Sequence, residues 1–117
     1  MKMIFFMALL GVVTLAACTG APSPSVTAND GETIELTVDE TGQYVPREMT
    51  VTLGSTVRIK GDPETLIGGM DTVIIDGYGV RQLIAPGDNI IEFVANQPGT
   101  FDVYCANGMG NGKLIVR

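Results

Sequence analysis

From Thr33 onward the chain is written in short runs whose apolar residues fall at every second position, each cut off by a glycine, proline, asparagine or aspartate turn. Period two is the spacing of side chains on one face of a β-strand, and no stretch of useful length repeats its apolar residues at helical spacing. Ile34, Leu36 and Val38 share one face; Met49, Val51 and Leu53 share another, and Gly54-Ser55 then turns the chain into Val57 and Ile59. Val73 to Ile75, Val80 to Ile84, Ile90 to Val94, Thr100 to Cys105 and Lys113 to Val116 complete a prediction of seven or eight strands. Turn signals about every eight to twelve residues favour an all-β sandwich or barrel. The strands are expected to pair antiparallel in two packed sheets, with function on loops gathered at one end.

The N-terminus has a different grammar. Lys2 supplies a positive charge, Ile4 to Leu15 an apolar run, and Leu15-Ala16-Ala17-Cys18 a small-residue processing site. The run is short for a spanning helix, which needs about twenty residues, and the arrangement is that of an export signal. The tetrad resembles the lipobox of bacterial lipoproteins. That resemblance implies that residues 1–17 are a signal peptide and that Cys18 becomes the lipidated first residue of the mature chain. Residues 18–31 then form a flexible tether, since Thr19 to Gly31 is rich in Pro, Ser, Ala, Thr and Asn. One domain, residues 32–117, follows. The expected location is the cell envelope, on its extracytoplasmic side, with the chain held to a membrane by its lipid.

Removing residues 1–17 from 117 leaves 100, enough for one domain with a modest core. Lys2 leaves with the signal, so six basic residues face thirteen acidic ones, net −7. Such a balance argues against nucleic acid and against adhesion to anionic headgroups by charge; a cationic partner or a metal ion is more natural.

The chain has no histidine. Ser-His-Asp and Cys-His nucleophile pairs are therefore absent, no Cys-x-x-Cys exists for thiol exchange, and an enzyme is not expected. With Cys18 lipidated, Cys105 is left as a lone thiol outside the cytoplasm. Met109 follows it four residues later on a glycine-rich turn. A thiolate and a thioether so placed suit a soft metal ion, whereas the imidazoles of a blue-copper redox centre are missing. Asn107-Gly108 and Asn111-Gly112 are turn dipeptides suited to positive φ, and two of them framing Met109 suggest a loop shaped to aim a side chain. Met49 fits the alternation of its strand and is assigned to the core.

Pro46 with Met49-Thr-Val-Thr-Leu-Gly54, Met70-Asp-Thr-Val-Ile-Ile75, Pro98-Gly-Thr-Phe-Asp-Val-Tyr-Cys105, Met109 and Gly112-Lys-Leu-Ile-Val116 resemble the cupredoxin pattern in order and spacing. The likeness covers about residues 33 to 117. It implies a cupredoxin-like Greek-key β-sandwich and a copper site at the end of the strand that closes on Cys105. Cys105 and Met109 match the family's cysteine and methionine ligands, and Met70 falls where plastocyanin-like chains place their first histidine. The histidine of the Cys-to-Met loop has no counterpart. Copper-handling members often end in Cys-x-Met-x-Met-x-x-Gly, and here Asn107 stands at the first of those methionines. Asn107 offers an amide oxygen of little use to Cu(I).

One thiolate and two thioethers suit trigonal Cu(I) better than Cu(II). The resemblance therefore implies a protein that stores or delivers one copper ion, as Cu(I), by exchange of sulfur ligands with a copper-donating or copper-accepting envelope protein. Cys105, Met109 and Met70 are its metal ligands. A metal-free interaction module of the envelope is the alternative of another class. A mononuclear copper electron carrier is a third reading.

Overall fold

The computed structural model describes residues 25–117; the expectations for the signal peptide, for Cys18 and for the tether up to residue 24 lie outside the described residues. Ten strands run through the described chain: β1 (Ser25–Ala28), β2 (Thr33–Val38), β3 (Tyr44–Val45), β4 (Glu48–Val51), β5 (Thr56–Gly61), β6 (Thr72–Ile75), β7 (Val80–Leu83), β8 (Ile90–Val94), β9 (Gly99–Cys105) and β10 (Gly112–Val116). Among the described residues there is no helix. Eight of the ten are the strands expected from the alternation.

The strands form two sheets, one ordered β1-β4-β10-β9-β6-β7 and the other β3-β2-β5-β8. Alternation has buried one face of most strands, while β7 at the edge of its sheet has no fully buried residue. Met49 and Val51 of β4, Leu114 and Val116 of β10, Val103 and Cys105 of β9, and Val73 and Ile75 of β6 are all buried. Ile34 and Leu36 of β2, Val57 and Ile59 of β5, and Ile91 of β8 supply the buried face of the other sheet. These residues form one core, and Met49 belongs to it as expected. At the end where β9 begins, the Tyr78 ring lies 4.8 Å from that of Phe101 and 5.1 Å from that of Phe93, within the range of favourable aromatic pairing.

Four expectations need correction. Pairing is mixed: β1 with β4, β4 with β10 and β2 with β5 are parallel. Alternation reports which face is buried and is blind to strand direction, so the sequence could not reveal this. The segment assigned to the tether contains β1, whose Ala28 is buried and whose four residues pair in register with β4. Four small residues in a Pro/Ser/Thr context carry little apolar signal, yet a neighbouring strand's backbone holds them. Leu53 lies beyond the end of β4 and is exposed, no longer in step with Met49 and Val51. Finally, the positive-φ positions of the last loop are Gly108, Gly110 and Asn111, while Gly112 already belongs to β10.

Candidate metal centre

β9 runs inward-facing side chains to its end, so Cys105 is delivered to the top of the core with its thiol fully buried. A tight turn follows at once: the Gly108 amide donates to the Cys105 carbonyl at 2.8 Å, and the Cys105 amide donates to the Met109 carbonyl at 2.8 Å. On the neighbouring strand Val73 is the register partner of Cys105. Three residues before Val73, the turn that leads into β6 brings Met70 across the strand end. Its amide donates to the Ile67 carbonyl at 3.1 Å, and its side chain is 7% exposed. The two sulfurs meet there: Sγ of Cys105 lies 3.3 Å from Sδ of Met70.

Asn107 has a larger part than the sequence implied. Its Oδ1 accepts from the Met109 amide at 3.1 Å and also takes the Cys105 thiol as a donor. One side-chain oxygen thus fixes both the turn and the thiol rotamer. Gly69 faces it: a Cβ there would stand 3.3 Å from Nδ2 of Asn107. The Gly68-Gly69 pair, both at positive φ, lets the Met70 loop close on the Cys105 loop.

Met109 takes a different place. It is 45% exposed at the rim, and its terminal methyl rests on Gly42, where a Cβ would come within 2.6 Å. The structure therefore joins Cys105 to Met70 in the interior and leaves Met109 on the same loop at the surface. Among the described residues no three His, Cys, Asp or Glu side chains gather as a metal cluster. The sulfur pair is the soft-donor feature of this end of the sandwich.

Sequence reasoning missed the floor of the site. Gln43 bridges Gly110 in parallel fashion, and the Tyr44 amide donates to the Gly110 carbonyl at 2.9 Å. Tyr44 is buried under the loop, and its hydroxyl donates to the Met70 carbonyl at 3.3 Å. A Cβ on Gly110 would strike its ring at 2.7 Å. Burial, then the nearby Cys105 and Asp71, push the Tyr44 hydroxyl well above its ordinary pKa, so the phenol stays neutral and remains a donor. An aromatic one position past Thr41-Gly42-Gln43 was the only signal available.

A model of the cupredoxin-like domain matches residues 4–116. No curated protein gives a significant sequence match. Among solved structures, the chain is similar to a copper-binding protein determined in its apo form by NMR, at 22% identity and a TM-score of 0.64, covering 79% of this chain and 98% of that one. It is also similar to the metal-binding domain of the Cu(I)-exporting P-type ATPase CopA of Streptococcus pneumoniae D39, solved with Cu(I), at 15% identity and a TM-score of 0.65, covering 84% and 99%. Oxidized plastocyanin of Dryopteris crassirhizoma is similar at 20% identity and a TM-score of 0.51, covering 74% and 100%. At these identities the neighbours establish the fold. The match over nearly the whole chain, on a two-sheet sandwich of this topology, means that this chain belongs to the family of the cupredoxin-like domain.

Proposed function

We propose that this chain is a lipid-anchored, extracytoplasmic protein of the cell envelope that holds one Cu(I) and passes it on by exchange of sulfur ligands. Cys105 and Met70 are the inner ligands, and Met109 is the third, reached from the rim. The observation that carries the proposal is the buried contact between the Cys105 and Met70 sulfurs.

The donor set fits the ion. A thiolate and thioethers are soft ligands that favour Cu(I), and a thiolate with a monovalent cation is neutral, which a pocket this buried tolerates better than a net charge. Metal-to-sulfur bonds of about 2.3 Å, as for zinc, place two sulfurs on one trigonal ion about 4 Å apart. The 3.3 Å separation is short of that by an amount that side-chain rotation supplies. Met109, already exposed, is the ligand an incoming thiolate or thioether can replace first. The solution of the pneumococcal neighbour with Cu(I) supports the choice of ion. The acceptor or donor is an envelope protein with sulfur ligands of its own.

The test is a titration of the reduced domain from Thr19 to Arg117 with Cu(I), without oxygen, against a chromogenic Cu(I) chelator. One tight equivalent that disappears in Cys105→Ser, with the domain still folded, is the expected result. No competition with the chelator sinks the copper site and leaves the metal-free interaction module. A strong visible band on adding Cu(II) favours the electron carrier instead.

A further inference from the structure

The parallel pairing of β1 fixes which end of the sandwich the N-terminal segment enters. Ser25 is level with Glu48 of β4, Glu48 with Lys113 of β10, and Lys113 with Asp102 of β9. Cys105 is three residues beyond Asp102, so it stands about 10 Å further along the strands than Ser25, in the direction from which the chain arrives. β1, β4, β10 and β9 are consecutive in the sheet, which puts the entry point about 14 Å to the side of Cys105. The other end of the sandwich is remote. Val116 and Val51 are level with Ala28, and Leu53 lies two residues past Val51 with its amide on the Arg117 carbonyl. Leu53 is therefore about 25 Å below Cys105 along the strands.

From Cys18 to Ser25 the chain has seven residue steps, which span at most about 25 Å when fully extended. Cys18 thus lies within about 25 Å of Ser25, and because the chain reaches Ser25 from the Cys105 side, a lipid on Cys18 favours that end toward the bilayer over the Leu53 end. At that near end Ile67 is 62% exposed and Met109 is 45% exposed, on the two loops that carry the sulfurs. Two exposed apolar side chains, on a chain of net charge −6 before processing, are a poor match for anionic headgroups, which attract basic segments.

We propose that the Cys105–Met109 end of the sandwich is turned toward the bilayer that holds the anchor, and that its partner is a membrane-embedded protein presenting sulfur ligands for Cu(I) at its extracytoplasmic surface. This rests on the lipid-anchored copper reading above. A short tether entering at the metal end limits exchange to sites near the membrane plane.

The chain has no tryptophan, so a single introduced indole reports on its own position. The full lipidated protein, as Ile67→Trp or Leu53→Trp, is reconstituted into phosphatidylcholine vesicles that carry a dansyl group on a fraction of phosphatidylethanolamine headgroups. Energy transfer from Ile67→Trp is expected to exceed that from Leu53→Trp several-fold, with indole emission as red as in the unanchored domain. Equal or reversed transfer overturns the orientation and leaves the copper titration untouched. A blue-shifted Ile67→Trp emission on these protein-free bilayers means that headgroups cover this end, and overturns the membrane-protein partner. Mass spectrometry of the N-terminal peptide separates the two readings: a Cys18 without acyl groups removes the anchor itself, and the orientation with it.

Discussion

The Sγ of Cys105 and the Sδ of Met70 lie 3.3 Å apart although 35 residues separate them in sequence. The contact is made by two independent devices: the inward phase of β9, which ends on Cys105, and the glycine-rich turn that folds Met70 over the strand end. Met70→Leu keeps the volume and removes only the sulfur. Its stability in urea should fall by less than about 1.5 kcal/mol, as for volume-conserving core exchanges. Its Cu(I) affinity in chelator competition should fall tenfold or more, about 1.4 kcal/mol or greater. Unchanged affinity would remove Met70 from the ligand set.

Tyr44 couples the floor of the site to pH. Burial first, then Cys105 and Asp71, raise its pKa above the ordinary 10.0. The folded state therefore holds this proton more tightly than the unfolded state does. Stability from that source is complete below about pH 10 and is lost as pH rises through the folded pKa. Tyr44→Phe removes this titrating group, so its urea midpoint should decline less steeply than that of the parent above pH 10. At neutral pH it should be less stable by about 1 kcal/mol for the lost bond to the Met70 carbonyl. Tyr104 is raised as well, first through its hydrogen bond to Asp76, and Tyr104→Phe serves as a control away from the floor, at a half-buried position. Asp39 has the opposite sign. The Thr41 hydroxyl, then the Gln43 amide, lower its pKa below 3.8, so its contribution is present above that value and is lost as pH falls through the folded pKa.

Gly110 holds the loop against Tyr44. Its φ is +113°, and a Cβ would stand 2.7 Å from the ring. Gly110→Ala combines left-handed backbone strain with overpacking, and should cost about 2–4 kcal/mol by urea unfolding. Gly42→Ala differs in kind. Its φ of +77° carries the same left-handed strain, about 1 kcal/mol or more, but its Cβ meets only the end of the flexible Met109 side chain, so beyond that strain the main effect should be a displaced Met109 methyl resonance in NMR rather than a collapse of the floor.

How much of this was legible in the sequence divides along physical lines. Burial face is local information: alternation placed Ile34, Leu36 and Val38 on one face and Met49, Val51 and Leu53 on another, and all are buried except Val38, half-buried at the end of β2, and Leu53, exposed beyond the end of β4. Strand direction and partner are not local, and neither the parallel β1·β4 pair nor the mixed sheets left a mark in the residues. The sulfurs of Cys105 and Met70 were legible as chemistry and through the family pattern, but their contact depends on how two loops close. Tyr44 was invisible because its role comes from an isolated bridge between Gln43 and Gly110, which no periodicity announces. Asn107 read as a turn residue at the place of a lost methionine; its hold on the Cys105 thiol, through the same Oδ1 that accepts the Met109 amide, left no sign in the sequence.

β1 tests where the domain begins. It covers the outer edge of β4, and the turn after it is pinned to β5, with the Thr56 amide donating to Asp30 Oδ1 at 2.6 Å. A chain starting at residue 32 leaves the β4 edge unpaired, which invites pairing with another molecule. Compared with a chain starting at Thr19, it should unfold at lower urea and show concentration-dependent association in sedimentation velocity. Equal stability and a clean monomer would return β1 to the tether.

Asn107 offers the sharpest separation of structure from ligation. Its Oδ1 accepts the Met109 amide at 3.1 Å and takes the Cys105 thiol as a second donor, so Asn107→Ala loses a turn-shaping acceptor. That variant should be destabilised by about 1 kcal/mol. Asn107→Met loses the same acceptor and should be destabilised similarly, yet it places a third thioether beside Cys105. If the centre is a soft-donor site, Cu(I) affinity should rise in Asn107→Met while stability falls, and in Asn107→Ala both should fall or affinity stay level. A parallel loss of affinity in both variants would mean that the amide, by holding the thiol rotamer, matters more to the ion than another sulfur does.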